Sequence, residues 1–177
     1  MPHAPTSDDI VDRVQLRPAA SEDLARLVEL NNSAVPAVPL VSNEEMAQLL
    51  EQANWSVVAE RDGQLQGMVL CFGTGEDYSS ENYQYFEQNY PSHFYIDRIV
   101  IDESARGEGL GAKLYAEVFA EAAHRGADVV TCEVNLEPPN PASIAFHHRM
   151  GFADVSTQAT KGGSVVVQLM AASVTEG

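Results

Sequence analysis

A chain of 177 residues is the length of one domain and can bury most of its apolar surface without a metal or disulfide staple. Its 10 Lys and Arg stand against 26 Asp and Glu, a net charge of −16, which excludes a nucleic acid held through its phosphates, because that grip needs a basic footprint. The same charge tolerates a cationic acceptor and equally describes a solvated acidic surface that aids solubility.

In chain order, residues 1–12 read as an acidic, flexible tail with no basic segment and no apolar core of signal-peptide length. VQLRPA (14–19) reads as a short strand ended by Pro18, after which Leu24, Leu27, Val28 and Leu30 recur at helical spacing. Ser42 with Glu45 three residues on is a capping box that opens a second helix at NEEMAQLLEQA. WSVVAERDGQLQGMVLCF is a hairpin, two apolar runs joined at Asp62-Gly63. A polar, Tyr-rich stretch, GEDYSSENYQYFEQNYPSHFY (75–95), leads to the apolar strand YIDRIVI. The helix from about Gly109 closes at Arg125 and Gly126, which read as a last turn and left-handed cap. DVVTCEV (128–134) is a buried strand, NPASIAFHHRM a short helix capped by Asn140 with Pro141 at its first position, and FADVSTQATKGGSVVVQLM a hairpin turned at Lys161-Gly162-Gly163.

The order β-α-α-β-β-β-α-β-α-β-β predicts one α/β (α+β) domain over 13–170, a mixed, mostly antiparallel sheet flanked by helices, with 171–177 as a loose end. No apolar run approaches a membrane span and no internal repeat occurs. Cys71 and Cys132 sit inside apolar runs and far from any metal-ligand spacing, as buried, reduced thiols of a cytoplasmic protein would.

The chemistry concentrates in YIDRIVIDESARGEGLGAKLY (95–115), where a strand hands over through glycines to a helix, a common cradle for phosphate. GEGLGA (107–112) matches the dinucleotide fingerprint G-x-G-x-x-G/A, with Glu133 about twenty residues on as a ribose-binding acid. The flanks reject that reading. The five-residue turn DESAR separates the glycines from Ile101, whereas the dinucleotide turn is tight against its strand, and one helix and a hairpin after Glu133 are too little for a doubly wound sheet.

Taken as Arg106-x-x-Gly109-x-Gly111, the same residues resemble the acyl-CoA pyrophosphate loop of the GNAT superfamily of N-acetyltransferases, R/Q-x-x-G-x-G/A, and the resemblance in element order extends over about 13–170. It implies acetyl-CoA as co-substrate, a longer acyl group being left open, with the backbone of Arg106, Gly107, Glu108, Gly109, Leu110 and Gly111 around the pyrophosphate. Glycines without side chains let amides approach the phosphates, the helix start adds its positive end, and Arg106 adds a charge-assisted contact. It implies also that Ile99, Val100 and Ile101 lend backbone groups to the pantetheine and the acyl carbonyl. A second match lies in EPPNPASIAFHHRMGF, where Asn140, Ser143, Phe146, His147, Gly151 and Phe152 fill the family's positions.

By that resemblance an amine attacks the thioester directly, so the protein must orient the carbonyl, present a deprotonated amine and protonate sulfur. The family commonly places a tyrosine where His147 stands, to protonate the departing thiolate. An imidazole can do the same near neutrality, or simply pack beside the cofactor. His148 falls on another face, at the surface. For the base, Asp97 and Glu133 are acids inside apolar strands, and a charge in such a place needs either a partner or a chemical role. Asp97 fits a salt bridge or acceptance of the amine's proton; Glu133 fits the same proton acceptance or a hold on the backbone of NLEPPNP. The Tyr-rich segment either borders the acceptor pocket or presents Tyr83 with Phe86 or Tyr90 as the apolar face of a surface helix.

An acetyl-CoA-dependent N-acetyltransferase acting on a primary amine of a small molecule or peptide is the expected function. A CoA-binding module without catalysis and a protein-interaction domain on the same fold are the alternatives. No metal, nucleic acid or membrane partner is expected, and the resemblance admits a homodimer.

Overall fold

In the computed structural model, which describes Thr6 and residues 13–175, the elements run β1 (Gln15–Pro18), α1 (Leu24–Ser33), α2 (Asn43–Gln52), β2 (Trp55–Arg61), β3 (Gln64–Phe72), α3 (Glu81–Asn89), β4 (His93–Ile101), α4 (Leu110–His124), β5 (Val129–Glu137), α5 (Pro141–Arg149), β6 (Ala153–Thr160) and β7 (Val165–Ser173). The strands follow the order β1-β2-β3-β4-β5-β7-β6 in a mixed sheet. β1 is antiparallel to β2, β7 is antiparallel to β5 and β6, and β4 runs parallel to β5 from His93↔Val129 to Tyr95↔Thr131. That parallel pair needs a crossover between its strands, and α4 supplies it.

The chain divides into two compact units, one comprising the chain up to Leu70 with Arg98–Ala116, the other Cys71–Asp97 with the chain from Glu117 onward. In the first, Leu27 and Leu30 of α1 and Met46 of α2 bury their apolar stripe with Val58, Leu65, Met68, Leu70 and Val100. The capping box forms as expected: Glu45 N–H donates to Ser42 Oγ at 3.1 Å and Ser42 N–H to Glu45 Oε2 at 2.8 Å. Asp62 and Gly63 both adopt positive φ, the requirement of a two-residue hairpin turn. Arg98, nearly buried on β4, donates to Asn31 Oδ1 at 2.9 Å, and the Asn31 amide donates on to the Pro39 carbonyl at 2.8 Å, so the loop after α1 is tied to the sheet.

In the second unit the Tyr-rich segment contains a helix, α3, which the expected element order lacks. Its Tyr83 and Phe86 are fully buried and pack on Tyr95 with ring centroids 5.6 and 5.9 Å away, the packing alternative for that pair. The Tyr83 hydroxyl donates to the Gly73 carbonyl at 2.7 Å and accepts from Glu76 N–H at 3.0 Å, which satisfies the buried phenol. α4 ends in the expected glycine cap: Gly126 has φ 73°, its N–H bonds the Ala123 carbonyl and Ala127 N–H bonds Ala122, the paired bonds of a Schellman motif. The C-terminal end also departs from expectation. β7 runs to Ser173 in register with Val129, so residues 171–173 belong to the sheet rather than to a loose end. The expected tail at 1–12 lies, apart from Thr6, outside the described residues. Cys71 and Cys132 are free and buried, and burial pushes both thiols well above their usual range. Among the described residues no helix is long and apolar enough to cross a membrane.

Candidate active site

The glycine loop begins where β4 ends. Asp102 accepts from Ser104 N–H at 2.9 Å and Ser104 Oγ at 2.6 Å, and from Arg26 Nη2 at 2.7 Å. The Ser104 contacts first, and Arg26 after them, hold its carboxyl below the ordinary range against the opposing effect of burial. A single turn of 3-10 helix over Glu103–Ala105 follows, and Arg106 leaves it exposed and extended. Gly107 and Gly109 then adopt φ of 78° and 83°, in the left-handed region that disfavours a side chain. The Gly109 carbonyl accepts from Lys113 N–H at 3.2 Å, so the amides of Leu110, Gly111 and Ala112 have no intrahelical acceptor and line the start of a four-turn helix. Glu108 is drawn aside by Arg61 of β2, Nη1 to Oε2 at 2.8 Å, which keeps its charge neutralised in a loop expected to face an anion. A run of amides at a helix start, two left-handed glycines and an exposed Arg106 fit a pyrophosphate.

On β4, Val100 is buried in the core of this unit while Ile99 and Ile101, on the alternate face, are half-buried. Gly67 makes room for this strand: a Cβ there would lie 3.1 Å from the Val100 carbonyl oxygen and 3.2 Å from Ile101 Cδ1.

The second unit holds the acids and the histidine. Tyr95 and Asp97 alternate with Ile96 on β4 and therefore share a face. The Tyr95 hydroxyl donates to Glu133 of β5, lying 2.9 Å from Oε1 and 2.8 Å from Oε2, and the Tyr78 hydroxyl donates to Asp97 Oδ1 at 2.6 Å. Each acid is thus half-buried against a phenol. Burial, and then the charges of Glu133 and Asp97, push the Tyr95 phenol well above its usual value, so it acts as a neutral donor. Arg98, the neighbour of Asp97, donates to Asn31, and Glu133 accepts the Tyr95 hydroxyl.

His147 is buried on α5, where Asn140 caps the helix by accepting from Ser143 N–H at 3.4 Å. His147 Nδ1 lies 2.7 Å from the Ser143 carbonyl oxygen. A carbonyl only accepts, so Nδ1 carries the proton, and Nε2 of the neutral ring carries the lone pair. Burial pulls the imidazole below 6.5, only partly opposed by the Ser143 bond. Phe146 and Phe152 stand edge-on to the ring at 5.7 and 5.4 Å. His148 is exposed and bonds Asp154 at 2.8 Å, a surface role as expected.

Sequence reasoning missed Tyr78, Tyr95 and Arg61 as the partners of Asp97, Glu133 and Glu108. Tyr95 was legible from strand alternation with Asp97; the pairings of Tyr78 and Arg61 join segments 19 and 47 residues apart and leave no local signal.

Comparison with known proteins shows the family. A model of the acetyltransferase (GNAT) family matches residues 24–152. The chain is 27% identical over 147 residues to a phosphinothricin N-acetyltransferase of Streptomyces coelicolor, covering 81% of this chain and 84% of the relative. It is 26% identical over 155 residues to an L-methionine sulfoximine/L-methionine sulfone acetyltransferase of Pseudomonas aeruginosa, covering 84% of each. Among solved structures, a ribosomal-protein-alanine N-acetyltransferase of Brucella melitensis superposes with TM-score 0.69 at 26% identity, over 90% of this chain and 99% of that one. The yncA protein of Salmonella typhimurium, solved with its cofactor acetyl-CoA, gives TM-score 0.69 at 22% identity over 93% and 95%. The glycine loop, the strand order and these matches together make the chain a member of the GNAT family, an acetyl-CoA-dependent N-acetyltransferase.

Proposed function

We propose that this enzyme acetylates the primary amine of a small, modified amino acid. The observation that carries the reading is the likeness, over more than four fifths of the chain, to enzymes named for phosphinothricin and for two oxidised derivatives of methionine. The paired acids of the second unit support it, because an ammonium acceptor must lose a proton before it attacks.

The local geometry and the family resemblance support the following residue roles. Acetyl-CoA supplies an activated thioester carbonyl. The amides of Gly107 to Gly111 and the Arg106 guanidinium hold its pyrophosphate, and the backbone of Ile99, Val100 and Ile101 holds the pantetheine arm and the carbonyl oxygen. By the family resemblance, Asn140, Ser143 and Phe146 of α5 also contribute to acetyl-CoA binding. Asp97 takes the proton of the incoming ammonium, and Glu133, bound at both oxygens by Tyr95, contributes fixed negative charge. A second proton leaves nitrogen as the amide forms. His147 Nε2, unprotonated in the resting tautomer, accepts that proton and passes it to the departing sulfur. On this reading the ring accepts before it donates, because a neutral imidazole whose Nδ1 proton is committed to Ser143 must gain a proton in order to give one.

The test is thiol release from acetyl-CoA with a panel of acceptors: L-methionine sulfoximine, L-methionine sulfone, phosphinothricin, unmodified amino acids, polyamines and an alanine-initiated peptide. Saturable turnover of the modified amino acids, with their N-acetyl products identified by mass, is the expected result. Turnover confined to the peptide would replace this reading with protein N-terminal acetylation, the activity named for the Brucella neighbour.

A further inference from the structure

Tyr78 belongs to the insertion between β3 and β4, yet it is fixed as firmly as a core residue. Its ring stands edge-on to Phe72 at 4.0 Å and tilted to Tyr83 at 5.6 Å, and its carbonyl accepts from Gln84 Nε2 at 2.6 Å. The segment around it is fastened at several points. Glu87 of α3 accepts from Gly75 N–H at 3.1 Å and lies 2.7 Å from His93 Nε2; Lys161 N–H donates to Glu81 at 3.0 Å and Gln158 to Asn82 at 3.1 Å. All of this order places one hydroxyl, Tyr78 Oη, 2.6 Å from Asp97 Oδ1.

The two phenols hold their acids differently. Tyr95 rises from the strand itself and spans both oxygens of Glu133, a symmetric grip. Tyr78 reaches in from outside the strand and engages a named oxygen of Asp97, which sets the rotation of the carboxylate about its Cβ–Cγ bond. A phenylalanine would keep every ring contact of Tyr78, so it is the hydroxyl that distinguishes the residue.

We propose that Tyr78 is a positioning residue of the acetyl transfer, its hydroxyl orienting the Asp97 carboxylate toward the amine whose proton that carboxylate takes. The inference rests on the reading of Asp97 as the amine's base, and it gives the Tyr-rich insertion a purpose, since α3 and its fastenings deliver this hydroxyl. Because a misaligned base loses rate rather than affinity, Tyr78→Phe lowers kcat by about tenfold and leaves KM for acetyl-CoA unchanged.

The experiment is a double-mutant cycle of Tyr78→Phe and Asp97→Asn on the full chain, with the Asp97 side-chain carboxyl ¹³C resonance recorded at fixed pH and Tyr95→Phe as comparison. Expected are a kcat loss in Tyr78→Phe that disappears in the Asp97→Asn background, and an Asp97 resonance that moves in Tyr78→Phe but not in Tyr95→Phe. An equal kcat loss in both backgrounds, or an Asp97 resonance that stays in place, overturns the inference and leaves the base assignment standing. Full turnover by Asp97→Asn overturns the base assignment and this role with it. A thermal midpoint for Tyr78→Phe close to that of the native chain separates lost orientation from lost folding.

Discussion

At His147 one hydrogen bond sets the tautomer. The 2.7 Å contact of Nδ1 with the Ser143 carbonyl leaves the proton on Nδ1, and burial keeps the ring neutral, so Nε2 is the atom that accepts a proton in the proposed mechanism. Replacing His147 by Phe is expected to lower kcat by about a hundredfold, in the range of general acid–base contributions, with calorimetric acetyl-CoA affinity unchanged. A histidine that merely packs between Phe146 and Phe152 would tolerate that replacement with unchanged turnover. His93 follows the same logic elsewhere: it is buried, lowered by desolvation despite Glu87, and its Nε2–H donates to the Glu87 carboxylate at 2.7 Å. These two histidines differ in legibility. His147 is marked by its place in NPASIAFHHRMGF, whereas nothing near His93 in the chain names Glu87 and Thr131 as its neighbours.

Elements whose ends are set by neighbouring residues were readable, and their predictions are local as well. Ser42→Ala removes an N-cap acceptor and is expected to cost about 1 kcal/mol of stability, read as a lower thermal midpoint. Gly107→Ala places a Cβ where nothing lies within 4 Å, so its cost of about 1–2 kcal/mol comes from the left-handed φ alone. The loop is then expected to relax and to bind acetyl-CoA more weakly by calorimetry. Arg106→Glu, at an exposed position, is expected to weaken the same binding while leaving the thermal midpoint in place. Undiminished affinity in both variants would move the pyrophosphate off this loop. The helix α3 was harder to read: Tyr83 and Phe86 carry the three-residue spacing, but Asn, Gln and Glu around them give a short, polar pattern. Its stability comes from the aromatic cluster beneath it, which is tertiary.

For the molecule as a whole, buried titratable groups bound the pH range of stability. Below pH 6.5 the unfolded chain protonates His93 and His147 while the folded chain keeps both neutral, so unfolding free energy falls as pH falls from that value. Further acidification protonates Glu87, Asp23 and Asp102, whose carboxyls the fold holds low, and removes what their bonds contribute. At the alkaline end Tyr83 is raised from 10.0 to about 12, chiefly by burial, so its contribution is present below pH 10 and is lost as pH rises through 12. Thermal midpoints recorded from pH 4 to 12 are expected to form a plateau bounded by these two limbs, and a midpoint unchanged between pH 7 and 5 would contradict the assignment of the histidines as buried and neutral.

By itself the sequence determined the order of most elements, their caps and turns, the glycine loop and the family, because each depends on residues a few positions apart whose backbone preferences act before any tertiary contact forms. It also marked Asp97 and Glu133 as acids inside apolar strands and His147 as the residue at the family's tyrosine position. Only the tertiary structure decided which groups those side chains meet. Tyr78 with Asp97 and Tyr95 with Glu133 join positions 19 and 38 residues apart, and Arg61 with Glu108 spans 47. The direction of a hydrogen bond across such distances is set by how strands and helices pack, and one chain spacing is compatible with many packings.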